Sequence, residues 1–105
     1  TTICHSGSSD IFKYIKLADV VILAIGSPEF LKSEHIKNGA VIIDVGINRI
    51  ENDNGKSKLV GDADFNSLIN KVKAITPVPG GVGPMTIAML VENTVEAAER
   101  TLQSI

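Results

Sequence analysis

The chain has 105 residues, of which 44% are hydrophobic and 21% charged, a balance that favours one compact domain and excludes disordered and collagen-like chains. Ten Lys and Arg against twelve Asp and Glu give a net charge of −2. Because the chain has no basic cluster, nucleic acid is excluded as an expected partner. Membranes are excluded as well, because the longest apolar run, residues 20–25, is far shorter than the roughly 20 residues of a membrane span. The chain has one cysteine, Cys4, and two histidines. These counts exclude a disulfide framework and a zinc site and favour a reducing, intracellular compartment.

The beginning of the chain predicts a strand, a helix and a second strand. Residues 1–4 are β-branched and apolar, which predicts a strand. Ser8, Ser9 and Asp10 offer N-cap oxygens to a helix predicted over 10–18. Residues 20–25 are apolar without alternation, the pattern of a strand that is covered on both faces.

The same apolar pattern recurs at residues 40–43 and predicts a buried strand parallel to the one at 20–25. Between the two strands, the polar segment 32–37 begins near Ser33, a potential cap, and stops at Asn38-Gly39. This spacing predicts a crossover helix of a few turns, so that the two strands and the helix form a βαβ unit.

The second half of the chain predicts a hairpin, a helix, a short strand and a long helix. The turn signal Asn52-Asp53-Asn54-Gly55 predicts a hairpin or projecting arm at the margin of the sheet. Asp62 and Asp64 are predicted to cap the next helix. Residues 74–76 predict a strand that ends at two prolines, and Pro84 is predicted to open a C-terminal helix of about 20 residues with one apolar stripe.

The loops that follow the predicted strands are the candidate ligand sites, because open α/β sheets bind ligands at the carboxyl ends of their strands. Three of the four loops contain glycine where a strand ends, which admits a ligand close to the backbone. The loops are His5-Ser6-Gly7, Gly26-Ser27-Pro28, Val45-Gly46-Ile47-Asn48 and residues 77–86. One such glycine usually only makes a turn, but three on one predicted edge favour a site.

The strongest candidate is Thr-Pro-Val-Pro-Gly-Gly-Val-Gly-Pro-Met-Thr at residues 76–86, a rigid and then glycine-rich loop that leads into a helix N-terminus. Gly81, Gly83 and Thr86 imitate the dinucleotide fingerprint, but that fingerprint needs a following strand with an acidic residue about 20 positions on. We therefore predict a ligand loop that is not the pyrophosphate loop. A purely structural loop is the alternative.

Other polar and reactive residues are predicted to be structural. Asp44 is expected to accept backbone N–H bonds at the end of its strand. His35 is expected on the surface, while His5 is either a neighbour of a ligand or a turn residue. Cys4 is expected to pack as a small core hydrophobe.

Five segments together closely resemble the bifunctional methylenetetrahydrofolate dehydrogenase/cyclohydrolase family over nearly the whole chain. They are Cys4-His5-Ser6, Ala24-Ile25-Gly26-x-Pro28-Glu29-Phe30, Val-Ile-Ile-Asp-Val-Gly-Ile-Asn-Arg at 41–49, Leu-Val-Gly-Asp-x-Asp-Phe at 59–65, and residues 76–86. The Pro-Gly-Gly-Val-Gly-Pro-Met-Thr segment is highly specific to that family. The resemblance implies an α/β fold with a Rossmann-like, doubly wound parallel sheet, of which this chain lacks the first βα unit.

The resemblance implies an enzyme of one-carbon metabolism that serves purine biosynthesis. Such an enzyme passes a hydride from 5,10-methylenetetrahydrofolate to NADP+ or NAD+ and then hydrates the methenyl product to 10-formyltetrahydrofolate. Residues 1–105 look like part of its NAD(P)-binding domain, without the N-terminal catalytic folate domain. The implied cofactor contacts are Ser6, beside the adenosine ribose and its 2′-phosphate, and Ala24, Gly26, Pro28, Val45, Gly46, Ile47 and Thr86. The implied folate contacts are Pro79, Gly80, Gly81, Val82 and Gly83.

The chain also departs from the family pattern. The catalytic Tyr-x-x-x-Lys pair belongs to the N-terminal domain, and Tyr14 is followed by Ala18, so no catalytic residue is assigned to this chain. Gly7 stands where many members carry Arg or Lys, which weakens the case for 2′-phosphate recognition and keeps NAD open.

The first βα unit and its Gly-Arg-Ser phosphate loop are missing as well. In a 3-2-1-4-5 sheet that unit supplies the central strand. Its absence is therefore expected to separate the strands at 1–4 and 20–25 from those at 40–45 and 74–76.

Two functions from different classes stay open. The first is a complete bifunctional enzyme with a tetrahydrofolate substrate, whose N-terminal part precedes Thr1; it is expected to form a homodimer, because the arm at 47–60 has exposed strand edges. The second is a noncatalytic nucleotide-binding or dimerisation module. Another Rossmann dehydrogenase would conflict with residues 79–86. The expected location is cytoplasmic, with a mitochondrial one left open.

Overall fold

The computed structural model describes residues 1–104. The helices are α1 (Ile11–Ile15), α2 (Phe65–Leu68) and α3 (Val82–Gln103), with a 3₁₀ turn at Ser33–His35. The strands are β1 (Val20–Leu23), β2 (Val41–Asp44), β3 (Asn48–Glu51), β4 (Ser57–Val60) and β5 (Ala74–Ile75).

The central element is a parallel three-stranded sheet in the order β1-β2-β5, with Val20 opposite Val41 and Val41 opposite Ala74. The parallel arrangement is confirmed. The expected separation of the strand at 20–25 from that at 40–45 is wrong, because β1 pairs with β2 over four residues. The free edge of β1 lies on its other side, so a further strand would join the sheet there without coming between β1 and β2.

The strand expected at residues 1–4 is also wrong, since this segment has no regular structure. Strand propensity needs a neighbouring strand to supply the ladder hydrogen bonds, and residues 1–4 pair with neither β1 nor β2. Ile3 is 86% exposed as a result.

The hydrophobic core lies on one face of the sheet. Strand β1 alternates, with Val21 and Leu23 buried and Val20 and Ile22 exposed, so the expectation that it is covered on both faces is wrong. The reason is that the described residues pack one layer on the sheet. The buried residues of this core are Ile15, Val21, Leu23, Leu31, Ile36, Ala40, Ile42, Ala63 and Leu68.

The predicted crossover helix at 32–37 is reduced to the 3₁₀ turn, and its N-cap residue is Lys32 and not the predicted Ser33. Leu31 and Ile36 are both buried at its two ends. A continuous helix would rotate residues five positions apart by roughly 140°, so an irregular connection is needed to bury both.

The other predicted elements form with altered ends. Helix α1 is shorter than the predicted 10–18, and Asp10 stands at its N-cap with φ 51° and no side-chain cap bond. The hairpin is confirmed as the antiparallel pair β3-β4, with Asn48 opposite Val60. The short strand β5 and the long helix α3 are confirmed, but no residue of α3 is buried over its 22 residues. Within residues 1–104, no helix has the length and apolarity needed to cross a membrane.

Candidate functional site

Two buried carboxylates lie where the strand-end loops meet. Asp44, the last residue of β2, is 3% exposed and Asp62 is fully buried. Asp44 Oδ1 accepts hydrogen bonds from the backbone N–H groups of Gly46 and Asp62, both at 3.0 Å, and Oδ2 accepts from Ala63 N at 2.9 Å. The prediction that Asp44 binds backbone N–H groups at its strand end is confirmed.

Asp62 connects the loop after β1 with the loop after β2. Its Oδ2 accepts from Ile25 N at 2.8 Å and from Gly26 N at 3.0 Å, while Oδ1 accepts from Asn48 Nδ2 at 2.9 Å. The prediction that Asp62 caps a helix is therefore wrong. The N-cap position of α2 belongs to Asp64, whose side chain makes no cap hydrogen bond.

Gly46 and Gly61 are the glycines that this arrangement requires. A Cβ built on Gly46 would overlap the Asp62 carboxylate, and one built on Gly61 would overlap that of Asp44. Each carboxylate thus occupies the space in front of a glycine in the neighbouring segment, and any larger residue would displace it.

The loop at residues 76–86 begins beside the same pair. Asp44 N donates to Thr76 Oγ1 at 2.8 Å, and Thr76 N donates to Ile42 O at 3.1 Å. The Val78–Pro79 peptide bond is cis. The loop then enters α3, whose first residue is Val82.

The residues expected at the site are distributed over two cavities. A groove of about 870 Å³ is lined by Ser6 together with Ile25 and Ser27 of the glycine loop after β1. A shallower cavity of about 630 Å³ is lined by Thr76, Gly81, Val82, Met85 and Thr86, among others. Ser6 and Thr86 therefore line different cavities, while the carboxylate pair links the intervening loops.

Most of the other expected site residues are exposed. A Cβ built on Gly26 meets no atom within 4 Å, so the backbone there faces open space. Gly46 is buried against Asp62, and Gly83 is half-buried. The exposed members are Ala24, Gly26, Pro28, Val45, Ile47, Pro79 and Gly80.

Three further residues with predicted places are His5, His35 and Cys4. His5 makes a turn contact, because its Nδ1 accepts from Gly7 N at 3.0 Å, and it also lines the groove beside Ser6. His35 is half-buried and not on the surface, since its ring stacks on Phe12 at a centroid distance of 3.9 Å. Cys4 lines the groove and is half-buried, outside the core, because residues 1–4 do not join the sheet.

Sequence reasoning missed Asp62, Asn48 and Thr76 as the residues that join the loops. The signal that could have found the carboxylate pair is the glycine beside each acid: Gly46 two residues after Asp44, and Gly61 directly before Asp62. Among residues 1–104, no group of three or more His, Cys, Asp or Glu side chains is placed to hold a metal ion.

Comparison with known proteins gives a consistent result. The family model "Tetrahydrofolate dehydrogenase/cyclohydrolase, NAD(P)-binding domain" matches residues 1–102. The "Bifunctional protein FolD" of Campylobacter hominis is 57% identical over 102 residues, which are 97% of this chain and 34% of that protein. The protein of the same name from Bacillus licheniformis is 54% identical over 102 residues, with the same two coverages of 97% and 34%.

Solved structures agree with these relatives. The bifunctional FolD enzyme of Campylobacter jejuni matches with a TM-score of 0.85 and 48% identity over 95% of this chain and 34% of that chain. The Trypanosoma brucei enzyme, solved with NADP cofactor and an inhibitor, matches with a TM-score of 0.78 and 40% identity over 89% of this chain and 32% of that chain. The parallel sheet is therefore Rossmann-like, as predicted, and the chain spans about a third of the length of the relatives it matches.

The carboxylate pair predicts a large difference between two Gly→Ala substitutions. Gly61→Ala places a methyl group on the Asp44 carboxylate and is expected to lower the free energy of unfolding by about 1–3 kcal/mol, measured by urea denaturation. Gly83→Ala is the control, because its Cβ meets open space in α3; its expected effect is within about 1 kcal/mol and in the stabilising direction. Equal destabilisation by both variants would contradict this account of the pair.

Proposed function

From the premise that this chain belongs to the tetrahydrofolate dehydrogenase/cyclohydrolase family, as its NAD(P)-binding domain, we propose that it is the cofactor-binding portion of a bifunctional enzyme. That enzyme oxidises 5,10-methylenetetrahydrofolate to 5,10-methenyltetrahydrofolate with NADP+ and hydrolyses the product to 10-formyltetrahydrofolate. The observation that carries the proposal is the meeting of the strand-end loops on one carboxylate pair, in a chain matched to that domain family over residues 1–102.

The geometry fits a dinucleotide along the strand ends. The loops after β1 and β2 expose backbone at Gly26 and apolar side chains at Val45 and Ile47, which suits a ligand with flat rings and polar linkers. Ser6 lines the groove beside the first of these loops, where its hydroxyl would bind the adenosine ribose. The cofactor supplies the hydride acceptor, and these residues orient it.

We assign the folate side of the site to Pro79, Gly80, Gly81, Val82 and Gly83. Gly81 and Val82 line the second cavity with Thr86, and we propose that Thr86 contacts the nicotinamide from the start of α3. The cavity lies on a rigid segment, because Thr76 is held by two hydrogen bonds to β2. A rigid loop limits the entropy that ordering the substrate costs.

The catalytic side chains are proposed to come from a separate N-terminal folate domain of the complete protein. This chain spans 34% of the length of its relatives, and the family's catalytic Tyr-x-x-x-Lys spacing is not reproduced at Tyr14. A noncatalytic nucleotide-binding module is the second candidate, because the glycine loops at the strand ends are present without those residues. We place the protein in the cytoplasm, which suits its single unpaired cysteine.

The two candidates differ in one assay on the protein encoded by the complete gene. The bifunctional enzyme is expected to reduce NADP+ in the presence of 5,10-methylenetetrahydrofolate, followed by the absorbance of the reduced nicotinamide, and to release 10-formyltetrahydrofolate. Saturable NADP+ binding by equilibrium titration with no turnover would instead support the noncatalytic module. Absence of both binding and turnover would reject the two candidates together.

The residue after Ser6 is expected to set the choice between NADP and NAD. Gly7→Arg adds a guanidinium beside the proposed 2′-phosphate position, and a Cβ on Gly7 contacts only the His5 ring, whose side chain can rotate. We expect the ratio of kcat/KM for NADP+ to that for NAD+ to rise about tenfold. Gly7→Ala is the matched control without charge, and an equal change in both variants would contradict 2′-phosphate recognition at this position.

We further propose that the complete protein is a homodimer in contact through the arm at 47–60. Strands β3 and β4 form a sheet of their own, so the arm has strand edges available for pairing. Ile50→Asp on β3 is expected to raise the dimer dissociation constant about tenfold, measured by sedimentation equilibrium. Lys56→Asp in the exposed turn serves as the control, and a monomeric wild-type protein would contradict the proposal.

A further inference from the structure

We propose that Asp62 is a positioning residue of the nucleotide site: its carboxylate holds the loops after β1 and β2 in the spacing that the cofactor needs. The proposal rests on the proposed function and deepens it. It assigns a role to a buried acid that does not itself line either cavity and that the sequence pattern predicted to be a helix cap.

The Asp62 carboxylate accepts three hydrogen bonds from two different segments of the chain. Two of its three donors are the consecutive N–H groups of Ile25 and Gly26, and the third is the side chain of Asn48. The first two donors lie in the loop after β1, and Asn48 is the first residue of β3, directly after the loop that follows β2. One side chain therefore bridges the two segments to which we assign cofactor contacts, in addition to the backbone hydrogen bond from Val45 N to Leu23 O at 2.8 Å.

Asp62 is itself held by hydrogen bonds from both of its backbone polar groups. Its N–H group donates to Asp44 Oδ1 at 3.0 Å, and its C=O accepts from Leu31 N at 2.9 Å. The residue is fully buried and lies against Gly46, where a Cβ would overlap its carboxylate. Because its backbone is hydrogen-bonded and its side chain is closely packed, the carboxylate is held in one position and can define the positions of its donors.

The cofactor side and the folate side of the proposed site are held by different hydrogen bonds. The loop at 76–86 is tied to the sheet through Thr76, which hydrogen-bonds to Asp44 and Ile42. Asp62 hydrogen-bonds instead to the loops after β1 and β2. A change confined to the Asp62 carboxylate is therefore expected to disturb nucleotide binding more than folate binding.

The substitution Asp62→Asn tests this role at constant volume. Both carboxylate oxygens accept from N–H donors, so either orientation of the new amide turns its NH₂ group toward another donor. The loss of acceptance and the donor–donor repulsion push one of the two loops away from its place.

In the protein encoded by the complete gene, we expect Asp62→Asn to raise the KM for NADP+ by about tenfold. The KM for 5,10-methylenetetrahydrofolate is expected to stay within about twofold and kcat within about threefold, because the folate loop keeps its hydrogen bonds to Asp44. A purely structural role would lower the fraction of folded enzyme, which reduces kcat and leaves both KM values unchanged. An unchanged KM for NADP+, or an equal rise in both KM values, would overturn the proposal.

Asp64→Asn is the matched control, since it makes the same chemical change two residues away on a side chain that pairs with Lys32 and makes no cap bond. It is expected to leave both KM values within about twofold.

If Asp62→Asn does not fold, the variant Asn48→Ala tests the same role, because it removes one donor and retains the bonds from Ile25 and Gly26. It is expected to raise only the KM for NADP+, by about threefold. No rise in Asn48→Ala would then overturn the proposal. A wild-type protein without NADP+-dependent activity would reject the proposed function instead, so the two failures are distinguishable.

Discussion

The arrangement of this protein depends on one constraint: two buried carboxylates must find hydrogen-bond donors for all their oxygens. A buried carboxylate without partners costs several kcal/mol, and the chain meets the requirement with backbone N–H groups from the ends of its strands. Asp44 draws together residues 46, 62 and 63, while Asp62 draws in residues 25 and 26 and the side chain of Asn48. Hydrogen bonds to these two buried carboxylates therefore help to position the loops assigned to the cofactor.

The same pair of carboxylates holds the carboxyl ends of β1 and β2 together, although one edge of β1 is unpaired in the described part of the chain. The carboxyl ends of β1 and β2 are fixed by acids and glycines that touch closely, so this edge keeps its geometry although the free edge of β1 has no strand partner within residues 1–104. Apolar side chains are exposed elsewhere, at Ile22 on β1 and along α3. These surfaces lie in a chain that spans about a third of the length of its relatives.

Local pattern predicted those elements whose stability is mostly local or whose partner is near in sequence. The hairpin follows from its turn residues, which Asn52 Oδ1 closes by accepting from Lys56 N. Helix α3 follows from residues 85–103, which contain neither glycine nor proline. The pattern failed where a distant residue decides. Residues 1–4 have strand propensity but pair with none of the strands described, β1 to β5. Segment 32–37 has the polarity of a surface helix, but Leu31 and Ile36 at its two ends are both buried, which requires an irregular connection.

By itself the sequence determined the α/β class, the parallel strands, the glycine loops at their ends and, through the Pro-Gly-Gly-Val-Gly-Pro-Met-Thr segment, the family. These properties are readable because periodicity, turn chemistry and motif are written in consecutive residues. Only the tertiary structure decided that β1 lies directly beside β2 and that Asp62 binds Ile25 and Gly26, 37 and 36 residues away. The physical reason is that strand order and the partner of a buried charge depend on which chain segments meet in space, and spacing along the chain does not specify that.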